Sequence, residues 1–224
     1  MKETGINEQA ISDVIYVAKR LDQKNLVNAF SGNISAKVDG KIYITPTGQN
    51  KGELTPEKIA VIDENGNRIH GLKETSEITM HRMVYEICEK NGWETGGVVH
   101  SHSRVLTAFA MAGLDIETKA LAEMLMFFDK IPCVSYGEPG TEHIIEPAEP
   151  YLADGYRIVL LSNHGSLAVG KTVEEAMNVV EAAEAVAEQV LLSNSILGGE
   201  KPLDDAELSK LTEIYIKNRD KRKK

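Results

Sequence analysis

Cysteine is scarce in this 224-residue chain, with only Cys88 and Cys133, and aromatic residues make up just 5% of it. The two cysteines lie in apolar surroundings without CxxC spacing, which excludes a disulfide framework and points to buried thiols in a reducing compartment. Nowhere do about 18 apolar residues run together as a membrane span requires. Residues 1–9 are polar and carry no apolar stretch of the secretory kind, so neither export nor a membrane partner is expected, and the expected location is cytoplasmic. Positive charge is also in short supply, with 25 Lys and Arg against 34 Asp and Glu and a formal net charge of −9. The one dense basic run, residues 217–224, reads as a solvated terminal tail, so nucleic acid is not an expected partner and any small anion must be held by local donors.

What remains is a composition of 42% hydrophobic and 26% charged residues, which suits one compact domain over residues 1–224, with residues 198–224 as a C-terminal helix and basic tail. Residues 8–26 place Ile11, Val14, Ile15, Ala18 and Leu21 at helical spacing, and residues 33–44 read as a hairpin turning at Asp39-Gly40. A turn at Asn65-Gly66 separates short strands at 60–62 and 68–69, and a helix is expected over 75–90 with Ile78, Val84 and Ile87 inward. The strand 97–100 leads into an apolar stretch containing Leu106, Phe109 and Met111. A helical stretch at 118–128, strands at 131–134 and 157–161, an alanine-rich helix over 172–197 stopped by Gly198-Gly199, and a last helix over 204–219 complete the pattern. Thr172 followed by Glu174 and Glu175 is a helix cap with acidic residues near the positive end of the dipole. Repeats and low-complexity linkers are absent, and the expected fold is an α/β domain with a mostly antiparallel or mixed sheet covered by helices.

His100-Ser101-His102 ends the strand 97–100. Alternate side chains of a strand share a face, so the two imidazoles can converge on a metal ion, or can serve as hydrogen-bonded polar residues at a strand end. Among the other histidines only His164 directly follows a strongly apolar strand and precedes a glycine, which makes it the best third ligand. His70 and His143 read as loop histidines. His81 lies four residues after Glu77, on the same helical face, as that carboxylate's partner or as a ligand. Three imidazoles leave a coordination position open, as catalytic metal sites do. Glu77 is the carboxylate to place beside the metal, because Thr75-Ser76-Glu77 opens a helix whose free backbone donors and hydroxyls can meet an anion; the same triplet is also an ordinary helix start. Residues 31–35 and 45–48 each join hydroxyl or amide donors to a glycine, and are either turns or a phosphate cradle.

Gly32-Asn33-Ile34-Ser35, Thr45-Pro46-Thr47-Gly48, Ser76-Glu77 followed by His81, His100-Ser101-His102 and Asn163-His164-Gly165 occur in the order found in the class II aldolase/adducin family, which the chain resembles from about residue 8 to residue 197. The resemblance implies a three-layer α/β/α domain around a largely antiparallel sheet, assembled as a homotetramer with active sites at subunit boundaries. It implies that His100, His102 and His164 bind zinc, or another divalent metal such as Mn2+ or Co2+, and that Glu77 is the catalytic acid/base and touches zinc in the substrate-free enzyme. Gly32, Asn33, Thr47, Gly48, Thr75 and Ser76 match the phosphate-binding segments.

The implied reaction is reversible cleavage of a ketose 1-phosphate, such as L-fuculose 1-phosphate or 5-deoxyribulose 1-phosphate, into dihydroxyacetone phosphate and an aldehyde. Breaking the C3–C4 bond leaves negative charge on an enediolate, which a divalent metal stabilises and which Glu77 protonates. Methylthioribulose-1-phosphate dehydration and L-ribulose-5-phosphate 4-epimerisation are the alternatives on this scaffold. An adducin-type interaction module is expected to lack the histidines. The chain departs from the family pattern at Leu121-Ala122-Glu123-Met124, where a tyrosine is missing; Glu123 is either the replacement proton carrier or an exposed helix residue. Tyr215 lies only near the position of the family's tail tyrosine, and its spacing with Leu211 and Ile214 reads as packing.

Overall fold

The computed structural model describes residues 5–196 and 198–223. Residues 1–4 of the polar N-terminus, Leu197 at the expected end of the long helix, and Lys224 of the basic run lie outside the described residues. One eight-stranded sheet runs through the molecule in the order β4-β3-β2-β1-β5-β8-β7-β6, and every pairing is antiparallel except β6 with β7. Its strands are β1 (Asn33–Val38), β2 (Lys41–Ile44), β3 (Ala60–Ile62), β4 (Arg68–His70), β5 (Gly97–Ser101), β6 (Cys133–Val134), β7 (Ile158–Leu161) and β8 (Gly165–Gly170).

Helices cover both faces. On one side α1 (Glu8–Gln23), α3 (Arg104–Ala112), α4 (Ala122–Phe127) and α6 (Val173–Ser193) pack over Ile34, Ala36, Val99 and Ala168. On the other, α2 (Ile78–Lys90) and α5 (Glu149–Ala153) cover Ile42, Ile44, Val98, Leu167 and Val169. The helix α7 (Asp205–Asp220) carries a capping box between Asp204 and Glu207 and leans on α4. This is the expected three-layer arrangement.

The hairpin β1–β2 turns where the sequence says it should, with both Asp39 and Gly40 at positive φ, as the tight two-residue turn of twisted strands demands. Several boundaries differ. The helix expected over 75–90 begins only at Ile78, because Thr75 to Glu77 line a cleft instead of joining the turn; Glu77 is its N-cap. The long helix has the expected Thr172 cap, accepting from the Glu175 amide, but ends at Ser193, four residues before the expected stop. The stretch 118–128 is helical only over Ala122–Phe127, and the apolar stretch after His102 forms α3. β8 went unforeseen. Within the basic tail Lys217 and Lys221 are exposed as expected, but the Arg222 guanidinium stacks over Trp93 and bonds the Gly155 carbonyl, and Lys223 also sits over Trp93.

Candidate metal centre and active site

The site grows from the central strands. Alternation places Asn33, Ser35, Val98 and His100 on the α2 side of the sheet, and the register sets Asn33 opposite His100. His102 follows in the turn between β5 and α3, and His164 sits in the short β7–β8 loop, where Asn163 adopts positive φ. Gly165 brings that loop in: a Cβ there would lie 2.5 Å from the Ser101 carbonyl oxygen and within 3.3 Å of both the His100 and His102 rings. The turn carrying His102 is anchored by Glu184 of α6, whose carboxylate accepts from Ser103 Oγ (2.7 Å) and from the amides of Val105 (2.9 Å) and Leu106 (3.0 Å).

These elements bring His100, His102 and His164 together with ligand nitrogens all within 4.8 Å of one another. The donor chemistry fits a metal. His100 Nδ1 must donate to the Ser166 carbonyl (2.9 Å), which leaves Nε2 bare and 2.9 Å from His102 Nε2, two ring nitrogens turned on one point. Burial, reinforced by the neighbouring histidines, holds His100 well below the usual histidine pKa and His102 at about 4, so both stay neutral as ligands must. Glu77 faces the same point, with Oε1 3.4 Å from His164 Nε2 and Oε2 3.6 Å from His100 Nε2.

Behind Glu77 runs a directional chain. A carboxylate only accepts, so Asn33 Nδ2 donates to Glu77 Oε2 (2.5 Å) and Asn33 Oδ1 must accept from His81 Nε2 (2.5 Å). His81 Nδ1 is then bare and accepts from Ser35 Oγ (2.7 Å), which lies 2.8 Å from the Tyr85 hydroxyl. Burial lowers His81 to a pKa of about 3, in keeping with that neutral tautomer. His81 is thus neither the direct partner of Glu77 nor a metal ligand; it reaches the carboxylate through Asn33.

A pocket of about 230 Å³ opens in front of Glu77, His102 and His164, and Gly32, Asn33, Thr47, Gly48, Thr75 and Ser76 all line it. Every proposed phosphate-binding residue therefore shares one cavity with His102 and His164. A larger cleft of about 410 Å³ between Leu121 and Glu200 contains no histidine. Glu123 is exposed on α4 and lines no part of its own chain's pocket. Tyr215 is buried, and packing raises its hydroxyl pKa to about 12. His70 ends β4, bonded to the Ile59 carbonyl, and His143 is an exposed partner of Glu146. Two pocket residues escaped the sequence reading: Phe30, which is exposed at the rim, and Lys51, which lies in a polar run of the kind that is ordinarily solvated yet is buried at the pocket wall. The only signal for Lys51 was nearness to Thr47-Gly48.

The family model described as Class II Aldolase and Adducin N-terminal domain matches residues 12–191. An L-fuculose phosphate aldolase of Methanococcus maripaludis is 35% identical over 187 residues, covering 83% of this chain and 98% of that protein. A 3-oxo-tetronate 4-phosphate decarboxylase of Pectobacterium atrosepticum is 30% identical over 190 residues, covering 83% of this chain and 85% of that protein. Among solved structures, an L-fuculose 1-phosphate aldolase superposes with a TM-score of 0.81 over 96% of this chain and 99% of its own, at 24% identity, a likeness of fold.

Proposed function

The chain belongs to the class II aldolase and adducin family, and we propose that it reversibly cleaves a ketose 1-phosphate, such as L-fuculose 1-phosphate or 5-deoxyribulose 1-phosphate, into dihydroxyacetone phosphate and an aldehyde. Aldehyde-lyase chemistry comes with the family; the ketose, the roles of the residues and zinc as the metal are the proposal. The observation that carries it is the meeting of three imidazoles and Glu77, with His102, His164 and Glu77 at the wall of a pocket that Gly32, Asn33, Thr47, Gly48, Thr75 and Ser76 also line.

His100, His102 and His164 would hold the metal, for which three imidazoles favour zinc over Mn2+ or Co2+. When bound, the metal supplies a Lewis acid that draws off the charge left by C–C cleavage. Gly32, Asn33, Thr47, Gly48, Thr75 and Ser76 grip the phosphate and keep the reacting end in register. Asn33 fixes Glu77 Oε2, so Oε1 is the atom that gives a proton to the ketose C3 in cleavage and removes it in synthesis. The relative named for decarboxylation favours one second reading. Loss of CO2 from a 3-oxo acid phosphate leaves the same kind of charge for Glu77 to quench.

Zinc-loaded protein incubated with a panel of ketose 1-phosphates should release dihydroxyacetone phosphate, detected with a coupled dehydrogenase, and a chelator should stop it. Release of CO2 or water with no triose phosphate would overturn the aldolase reading.

The assembly proposed is a cytoplasmic homotetramer with active sites at subunit boundaries. Met111, Leu114 and Phe127 are large apolar residues exposed on or beside α3 and α4, suited to cover by another copy, and Glu123 precedes Phe127 by one turn of α4. If Glu123 serves a neighbour's pocket, mixing inactive Glu77→Gln chains with inactive Glu123→Gln chains restores activity. No recovery on mixing contradicts shared sites.

A further inference from the structure

Lys51 lies in the single 3-10 turn Lys51–Glu53 and is only 3% exposed, yet its side chain lines the pocket. Among the described residues its ammonium makes no ion pair and no hydrogen bond. An ammonium on so buried a side chain, open only to the pocket and without a paired anion, is costly, and burial pulls its pKa down against a partial opposing pull from Glu77. Glu77 answers that charge only in part, since its two oxygens are turned to Asn33, His100 and His164. Lys51 is therefore a positive charge held ready at the wall of a cavity whose other walls carry no fixed positive charge.

We propose that the Lys51 ammonium is the charge partner of the substrate's phosphate, completing a site whose other donors are all neutral. Position in the chain favours phosphate over a substrate carboxylate. Only Gln49 and Asn50 separate Lys51 from Gly48, so it extends the same loop that supplies Thr47 and Gly48. A phosphate dianion drawn out of water onto hydroxyls and amides alone keeps its charge uncompensated, whereas a charge-assisted donor is about twice as strong as a neutral one. The inference rests on the sugar-phosphate reading of the pocket, but its test does not require turnover.

Inorganic phosphate is the probe, titrated by calorimetry into the metal-loaded protein and into Lys51→Met, Lys51→Gln and Lys51→Arg, each checked for melting temperature and metal content. Loss of a hydrogen bond to a charged group predicts phosphate binding about 10- to 100-fold weaker in the Met and Gln variants, with metal retained and Lys51→Arg closer to the parent. Two neutral variants guard against one that fails to fold. Unchanged phosphate affinity in Lys51→Gln or Lys51→Met, or an equal loss in Lys51→Arg, would overturn the proposal. Parallel release of dihydroxyacetone phosphate separates the two claims. Phosphate binding through Lys51 without aldol cleavage defeats only the reaction, and cleavage with Lys51-independent phosphate binding defeats only this inference.

Discussion

Glu77 is held by a residue that is itself held, and this makes His81 the informative position. Its ring is fully buried and accepts no proton until a pKa of about 3, against 6.5 when the chain is unfolded. Between those values the unfolded state binds a proton that the folded state refuses, so folding stability is lost as pH falls through that window. In metal-free protein, His81→Gln should lose stability less steeply than the parent from pH 6.5 towards 4, by about 1.4 kcal/mol per pH unit for one proton. Urea unfolding at several pH values measures this, and parallel slopes would contradict the buried neutral tautomer. His100, His102 and His164 were legible in the sequence because strand alternation and an apolar strand before a glycine are local signals. The partners of His81 were not, since Asn33 and Ser35 lie 48 and 46 residues away and the pairing arises only when α2 lands on β1. Lys51 was illegible for a similar reason: nothing in Gln49-Asn50-Lys51-Gly52 distinguishes a buried lysine from a solvated one.

Among the secondary elements, the ligand geometry depends on how closely β8 approaches β5. Gly165 permits that approach, and its replacement by alanine must move either the Ser101 backbone or the histidine rings. Gly165→Ala is expected to cost about 1–3 kcal/mol through overpacking and to lower bound metal. Denaturant unfolding and elemental analysis read the two effects, and an unchanged pair of values would mean that the loop is less constrained than its contacts indicate. The same glycine explains why β8 was missed. Gly165 and Gly170 bound it, and both serve close packing against β5 and α6 where a larger side chain would clash, so they carry no apolar signal of a strand. The β1–β2 hairpin was legible to the residue because Asp39-Gly40 is a turn signal with its own backbone chemistry. Helix starts fared worse where function intervened: Thr75 and Ser76 have helix-compatible neighbours, yet they face the pocket.

For the molecule as a whole, a sheet covered by helices was readable from alternating helix and strand patterns and its three layers were implied by the family resemblance, but the strand order was not, because β5 leaves its chain neighbours to pair with β1 and β8. That insertion unites the site. It sets His100 beside Asn33 on one flank and beside the strand that follows His164 on the other. The basic tail shows the limit of composition, since its charge suggested solvation while Trp93 and the Gly155 carbonyl offered Arg222 a specific seat.

The central claim is that the histidine-bound metal, the phosphate pocket and Glu77 act together on dihydroxyacetone phosphate, whichever aldehyde is used. Dihydroxyacetone phosphate alone, incubated with zinc-loaded protein in D2O and followed by proton NMR, isolates that half-reaction. One hydrogen of its hydroxymethyl carbon should exchange for deuterium, and Glu77→Gln should retain zinc yet exchange about 10²- to 10⁴-fold more slowly. Absence of exchange in the parent protein, or full exchange in Glu77→Gln, would contradict it.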